Sequence, residues 1–395
     1  MKILDINSKI LLFAFLISPF TLLRFSFLGL GEVIFFAYFI YFFCKKITKS
    51  DWNFFYFTKF WIIYLTISLL GFSYNVLFLA HATGTVKGAL FDFSAYLMIL
   101  FTCFVLEYII IVNKVNTYFF LKYLFIFSSV IFSSLYIISF FTPTILGLPI
   151  KYYDFFSPLA KNIHQTAMII IVLPFLGMKI FTKEVGFFWK SFILGLIVLT
   201  LIMGLDTGSS KATLGLLLGS VMFILASLLI KFNREKKYLI LIVSALLLIL
   251  FLIQTDIINY LKMAFSEADP VGARAYLYKN ALDTGLDSFL LGRGPGPHIE
   301  FIPGSRYFSD AHQTFLTVFL QTGVVGLLLF FSLIIKTVDK LIFHPALLAM
   351  LTPILVYALG GDILRRLPIW VLLVLLFHYL AKDEPSYIRK KLNEK

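Results

Sequence analysis

Apolar stretches of span length follow one another from residue 8 almost to the end of the chain. A helix needs about 20 such residues to cross a bilayer. Twelve runs meet or approach that length: 8–25, 29–44, 55–75, 88–112, 118–141, 162–182, 186–205, 208–230, 238–258, 312–335, 341–360 and 367–381. Of the 395 residues, 60% are hydrophobic and 14% charged, whereas a soluble domain carries roughly 25% charged residues. Such a chain cannot bury its apolar surface in water, which excludes a soluble enzyme and a disordered tail. Outer-membrane barrel strands alternate apolar and polar residues and never make runs this long. The expected architecture is an all-α polytopic integral membrane protein with about twelve transmembrane helices. The first run continues into the second with no small-residue cleavage site between them, so it reads as a retained anchor. Cys44 and Cys103 lie inside apolar runs and imply no disulfide framework.

The net charge of +13 would suggest nucleic acid in a soluble protein. Here the first reading is the Lys/Arg bias of cytoplasmic loops, so no nucleic-acid partner is expected. With the N-terminus cytoplasmic, 22 Lys and Arg fall on the cytoplasmic side and 12 on the other. The split predicts that both termini are cytoplasmic. Four regions follow: a nine-helix membrane region over 1–258, a long periplasmic loop over 259–311, three C-terminal membrane helices over 312–381 and a basic cytoplasmic tail over 382–395. The remaining loops read as short. The outer face lacks ATP, so a reaction there needs a donor activated before it arrives.

The candidate residues gather on that outer face. In the long loop, good helix formers surround Arg274, with Tyr278 and Leu282 at helical spacing on one face, which predicts a short interfacial helix. Gly292-Arg293-Gly294-Pro295-Gly296-Pro297-His298 follows. Its glycines and prolines make either a turn approached closely by a ligand, with Arg293 and His298 as contacts, or a rigid corner. Ser309 or Asp310 is expected to cap the next helix, placing His312 in its first turn. Histidine near a membrane needs a partner or a wet cavity. Ser209-Ser210-Lys211 opens another helix, where free N–H groups and one cation suit an anion, or where lysine merely snorkels from a simple cap. Arg365 and Arg366 either pair with Asp362 or reach a phosphate bidentately. Asn162 and His164 open a further span, lining a cavity or only satisfying a helix end. Lys211, Arg274 and one or both of Arg365 and Arg366 are cations on the side that disfavours them. Together they suggest an anionic ligand such as a lipid diphosphate.

On these residues the chain resembles the bacterial O-antigen ligase and polymerase superfamily. His312 with ten residues before Gly323 looks like the ligase His-x10-Gly motif. Arg274 to Leu282 followed by Gly292 to Pro297 is similar to its loop helix and turn. Asn162 to Ala167, Ser210-Lys211-Ala212 and Asp362…Arg365-Arg366…Pro368 resemble further family segments, with Lys211 where the family usually has arginine. The resemblance implies an inverting glycosyltransferase of the GT-C type that needs no metal or other cofactor. The donor it implies is a glycan on undecaprenyl diphosphate. The acceptor is lipid A–core in a ligase of lipopolysaccharide biosynthesis, or another lipid-linked repeat unit in a polymerase. His312 and Arg274 are then the catalytic candidates. Lys211, Arg274, Arg365 and Arg366 are the diphosphate-binding candidates, and Asn162, His164, Arg293 and His298 the substrate-binding ones. A rival from another class is a flippase for lipid-linked oligosaccharide, but the chain shows no paired helix interruptions in two halves.

Overall fold

A computed structural model describes residues 5–25, 28–47, 54–79, 86–184, 186–232, 235–236, 240, 273–300 and 308–379. In chain order the helices are α1 (Ile6–Ile17), α2 (Leu30–Ile47), α3 (Tyr56–Tyr74), α4 (Val86–Glu107), α5 (Thr117–Ser139), α6 (Ile163–Ile170), α7 (Leu173–Phe181), α8 (Phe187–Asp206), α9 (Ser210–Leu228), α10 (Ala273–Leu286), α11 (Thr314–Leu341), α12 (Pro345–Gly360) and α13 (Leu367–Phe377). Among the described residues, seven stretches are long and apolar enough to cross a membrane: 56–78, 87–112, 117–139, 163–181, 187–206, 210–228 and 314–341. The described residues are mostly helical, consistent with an all-α membrane protein. Eleven of the twelve expected runs hold helix, and the run at 238–258, except for residue 240, lies outside the described residues.

Several helices differ in extent from the runs that announced them. The first ends at Ile17, well short of residue 25, because the Ser18-Pro19 pair follows it. A two-residue antiparallel ladder then pairs β1 (Arg24–Phe25) with β2 (Leu28–Gly29). The run at 162–182 is broken between α6 and α7, where Pro174 has no N–H to continue the ladder. The stretch between α5 and α6 is not a short loop. It folds into two small hairpins, β3 (Thr144–Ile145) with β4 (Leu148–Pro149) and β5 (Lys151–Tyr152) with β6 (Phe155–Phe156). Phe155 of the second hairpin lies against Gly208, a left-handed glycine (φ 63°) just before α9, where a Cβ would overlap the ring.

Packing follows the rule for helices in lipid, where small residues bring backbones together. Gly215 and Gly219 share one face of α9, and α12 packs on that face through Ala349 and Pro353. At the end of the bundle opposite the candidate site, the buried Glu107 accepts from the backbone N–H groups of Phe57 (2.8 Å) and Thr58 (2.9 Å), free donors at the start of α3. His378 Nε2 lies 3.0 Å from the same carboxylate. One side chain thereby ties α3, α4 and the end of α13 together.

Candidate active site

The N-termini of α4, α6, α9, α11 and α13 meet at one end of the bundle, joined by side-chain bonds. His164 Nδ1 lies 3.1 Å from Ser209 Oγ, which lies 2.9 Å from the Tyr357 hydroxyl. Ser209 caps α9 and Asn162 caps α6, so both sequence-predicted polar starts are helix caps. Lys211, in the first turn of α9, is buried against Gly360 and Gly361 at the end of α12. The loop that begins at Gly361 continues to Arg365 and Arg366. Thr314 Oγ1 donates to the Gly361 carbonyl (2.8 Å) and accepts from Ile363 N–H (3.1 Å), which fixes this loop on the start of α11.

Gln313, not Ser309 or Asp310, caps α11, its side chain accepting from Leu316 N–H at 2.6 Å. Asp310 is unavailable because Arg365 holds its carboxylate. His312 therefore precedes the helix rather than sitting in its first turn. Its backbone is left-handed (φ 51°), a sparsely populated conformation for a residue with a Cβ. The side chain is exposed, with Nε2 3.5 Å from Ser309 Oγ, at the limit of hydrogen bonding.

Helix α10 spans 14 residues around the predicted interfacial segment. Its packed face carries Leu277 and Ala281 rather than Tyr278 and Leu282; Leu282 is exposed. Leu277 and Ala281 cluster with Ala311, the neighbour of His312, and helical register puts position 274 one turn before Leu277. The helix that carries Arg274 is thus docked beside His312. The Arg274 side chain itself lies outside the described residues.

The Gly/Pro turn is a structural plug. Gly323 is non-helical inside α11 (φ 63°, ψ −163°), which interrupts the ladder and frees backbone groups on both sides. Arg293 N–H donates to the Leu320 carbonyl (2.7 Å) and Gly294 N–H to that of Gln321 (3.0 Å). In return Val324 N–H donates to the Phe289 carbonyl at 2.8 Å. A Cβ at Gly323 would overlap the Leu290 carbonyl, and one at Gly292 the Thr322 backbone. The glycine of the His-x10-Gly pattern is therefore the kink, and the glycine-rich turn is its partner. Arg293 is buried and pairs with Asp287 (3.0 Å); burial lowers its pKa. His298 is buried with Nε2 2.7 Å from the Gly294 carbonyl, and burial pushes its pKa down to about 4. These two predicted substrate contacts stand inside the turn, holding its shape.

Arg365 is the centre of a polar cage. Its guanidinium contacts Asp92 (2.9 Å), Asp362 (3.2 Å) and Asp310, and lies over the Phe91 ring. Burial alone would lower its pKa; the carboxylates of Asp362, Asp310 and Asp92 outweigh that and raise it. Asp92 also accepts from Gln321 Nε2 (3.1 Å) and Gly296 N–H (3.2 Å), and Gln321 accepts from the Tyr96 hydroxyl (2.7 Å). Sequence reading passed over Asp92 and Gln321, although a carboxylate inside an apolar run is a signal in itself. A cavity of about 450 Å³ opens beside the cage, lined by Lys87, Asp92, Pro297, Ser309, Asp310 and Arg365. Ser309 places it next to His312.

Residues 194–331 match the O-antigen ligase family. This match supports the resemblance to the O-antigen ligase and polymerase superfamily. The matched stretch contains Lys211, Arg274, Arg293, His298, His312 and Gly323, and ends before Arg365 and Arg366. No curated protein matches the chain.

Proposed function

We propose that this chain belongs to that superfamily and is a glycosyltransferase acting on lipid-linked glycans, an O-antigen ligase that uses the end of the bundle bearing His312. The observation that carries the reading is the convergence of the family's matched residues. Packing of Leu277 on Ala311 brings the Arg274 helix to His312, and the Thr314–Gly361 bonds bring the Lys211 end of α12 to the same helix start. An exposed imidazole on a strained backbone, beside a polar cavity, has the access a general base needs.

In the proposed step the acceptor hydroxyl oxygen attacks the anomeric carbon of the donor glycan. The carbon–oxygen bond to undecaprenyl diphosphate breaks, and the diphosphate leaves with the electron pair. His312 takes the hydroxyl proton, and one displacement inverts the anomeric centre. Lys211 and Arg274 hold the diphosphate and stabilise its growing charge. Arg365, committed to three carboxylates, acts by fixing Asp310 and the segment that presents His312. The acceptor is lipid A–core, and the active face is periplasmic in the inner membrane. The polymerase reading shares every one of these residues and differs only in the acceptor, a second lipid-linked repeat unit.

Transfer from undecaprenyl diphosphate glycan to purified lipid A–core, in detergent and with a chelator, tests the reading. His312→Ala should lower the rate by about 10²–10⁴-fold, the range for a general base, and Arg274→Ala should act in the same direction. Full activity in either variant refutes the assignment. Transfer only to lipid-linked repeat units makes the protein a polymerase. Release of glycan across a vesicle without any transfer makes it a flippase.

A further inference from the structure

A second cavity, of about 270 Å³, lies on the other side of Arg365 and Phe91, between the β1–β2 hairpin, α4 and the start of α13. One wall is basic, with Arg24 and Arg366. The other is apolar, with Leu28, Ala95, Met98 and Ile99. Among the described residues, neither Lys211, His312 nor any residue of the long loop lines it. The proposed function leaves this cavity without a role.

Arg365 and Arg366 are adjacent in sequence, yet only Arg365 pairs with carboxylates among the described residues. Among the described residues Arg366 makes no side-chain hydrogen bond or ion pair, and its Nε is buried without a partner. Arg24 pairs with Glu32 Oε1 through Nη2 (2.7 Å), and its Nε is likewise buried and unpartnered. Two guanidiniums line one small cavity, and the one of Arg366 has no acceptor among the described residues, an arrangement that an anion entering the cavity would relieve. A phosphate oxygen is the acceptor whose geometry suits a guanidinium fork. Glu32 lines the same cavity, with Oε1 paired to Arg24, and opposes an anion.

We propose that this cavity is a second anion site, separate from the one at Lys211, which takes the phosphate of a lipid headgroup between Arg24 and Arg366 while the lipid chain lies along Ala95, Met98 and Ile99. A free phosphate would use the arginines alone and leave the apolar wall empty. A phosphorylated lipid uses both. With a carrier lipid at Lys211, the protein would hold two phosphorylated lipids at one end of the bundle, on opposite sides of the Arg365 cage.

The test is equilibrium binding of dioctanoyl phosphatidic acid to the detergent-purified full chain, with dioctanoylglycerol and inorganic phosphate as the separate arms. Wild-type protein should bind the phosphatidic acid and not the glycerol. Arg366→Gln and Arg24→Gln should each weaken binding at least about tenfold, the effect of one charge-assisted hydrogen bond. Glu32→Gln should tighten it, and Ala95→Phe, which fills the apolar wall and leaves both arginines in place, should weaken it. Where Arg366→Gln does not fold, Arg366→Lys replaces it; keeping the charge but losing the fork, it should still bind more weakly than wild type. Unchanged affinity in the arginine variants overturns the proposal. Inorganic phosphate displacing the lipid at equal concentration overturns the lipid assignment, as does unchanged binding in Ala95→Phe. Binding is read without turnover, so a chain inactive in glycan transfer leaves this result standing.

Discussion

Arg365 and Arg366 occupy consecutive positions and opposite surroundings. The first is enclosed by Asp92, Asp310 and Asp362 and ties α4, the approach to α11 and the α12–α13 loop into one unit. The second faces a cavity and pairs with no carboxylate among the described residues, and burial together with the neighbouring Arg365 charge brings its pKa down to about 10. A cation surrounded by acids serves the fold, because its hydrogen-bonding capacity is already used. A cation without them has capacity left for a ligand. The same contrast separates His298, buried against the Gly294 carbonyl, from His312, exposed on a left-handed backbone. Residue type made all four candidates, and surroundings divide them.

The sharpest way to break that division is Arg365→Gln. It leaves three carboxylates facing one another, and loss of one partner from a buried charge cluster costs about 3–5 kcal/mol. Thermal unfolding in detergent should show the loss, with partial recovery when Asp92→Asn is added. A variant with unchanged stability and lost transfer would move Arg365 from the fold to the ligand.

Acid provides the next test. The His298 pKa is about 4 folded against about 6.5 unfolded, so between those values the unfolded chain binds more protons. Stability should be full above pH 6.5 and fall as pH drops toward 4, by up to about 3 kcal/mol. His298→Asn should flatten the stability profile in that window. A slope that survives the substitution would assign it elsewhere.

Gly323→Ala should cost about 1–3 kcal/mol, since it imposes a Cβ both on a left-handed backbone and on the Leu290 carbonyl. Hydrogen exchange should rise at the amides of Arg293 and Gly294 as the plug loosens. The smallest expected effect sharpens the comparison most. His312→Ala should change stability by no more than about 0.5 kcal/mol, as for an exposed side chain outside any network, even though it removes transfer. Equal losses of stability in His312→Ala and Arg365→Gln would erase the distinction between the two regions.

Much of the site was readable before the fold. Helix caps at Asn162 and Ser209, a helix around Arg274 and an unusual His312 all follow from local rules of capping and propensity. The cage was not readable, because Asp92 lies 273 residues from Arg365 and Gln321 lies 229 from Asp92. Only the packing of α4 between α3 and α13 brings those positions together. The cap of α11 was misplaced for the same reason: Asp310 is a good local cap, but a distant arginine takes it.

By itself the sequence determined that this chain forms apolar helices of span length, since burial in lipid is a matter of composition and run length, and it put the unusual polar residues at one end of them. The tertiary structure alone decided which of those residues are spent on one another. Hydrogen-bonding capacity is finite, and who satisfies whom depends on neighbours in space, so Arg365, Arg293 and His298 went to the fold while His312, Arg366 and Arg24 kept donors or exposure for something else.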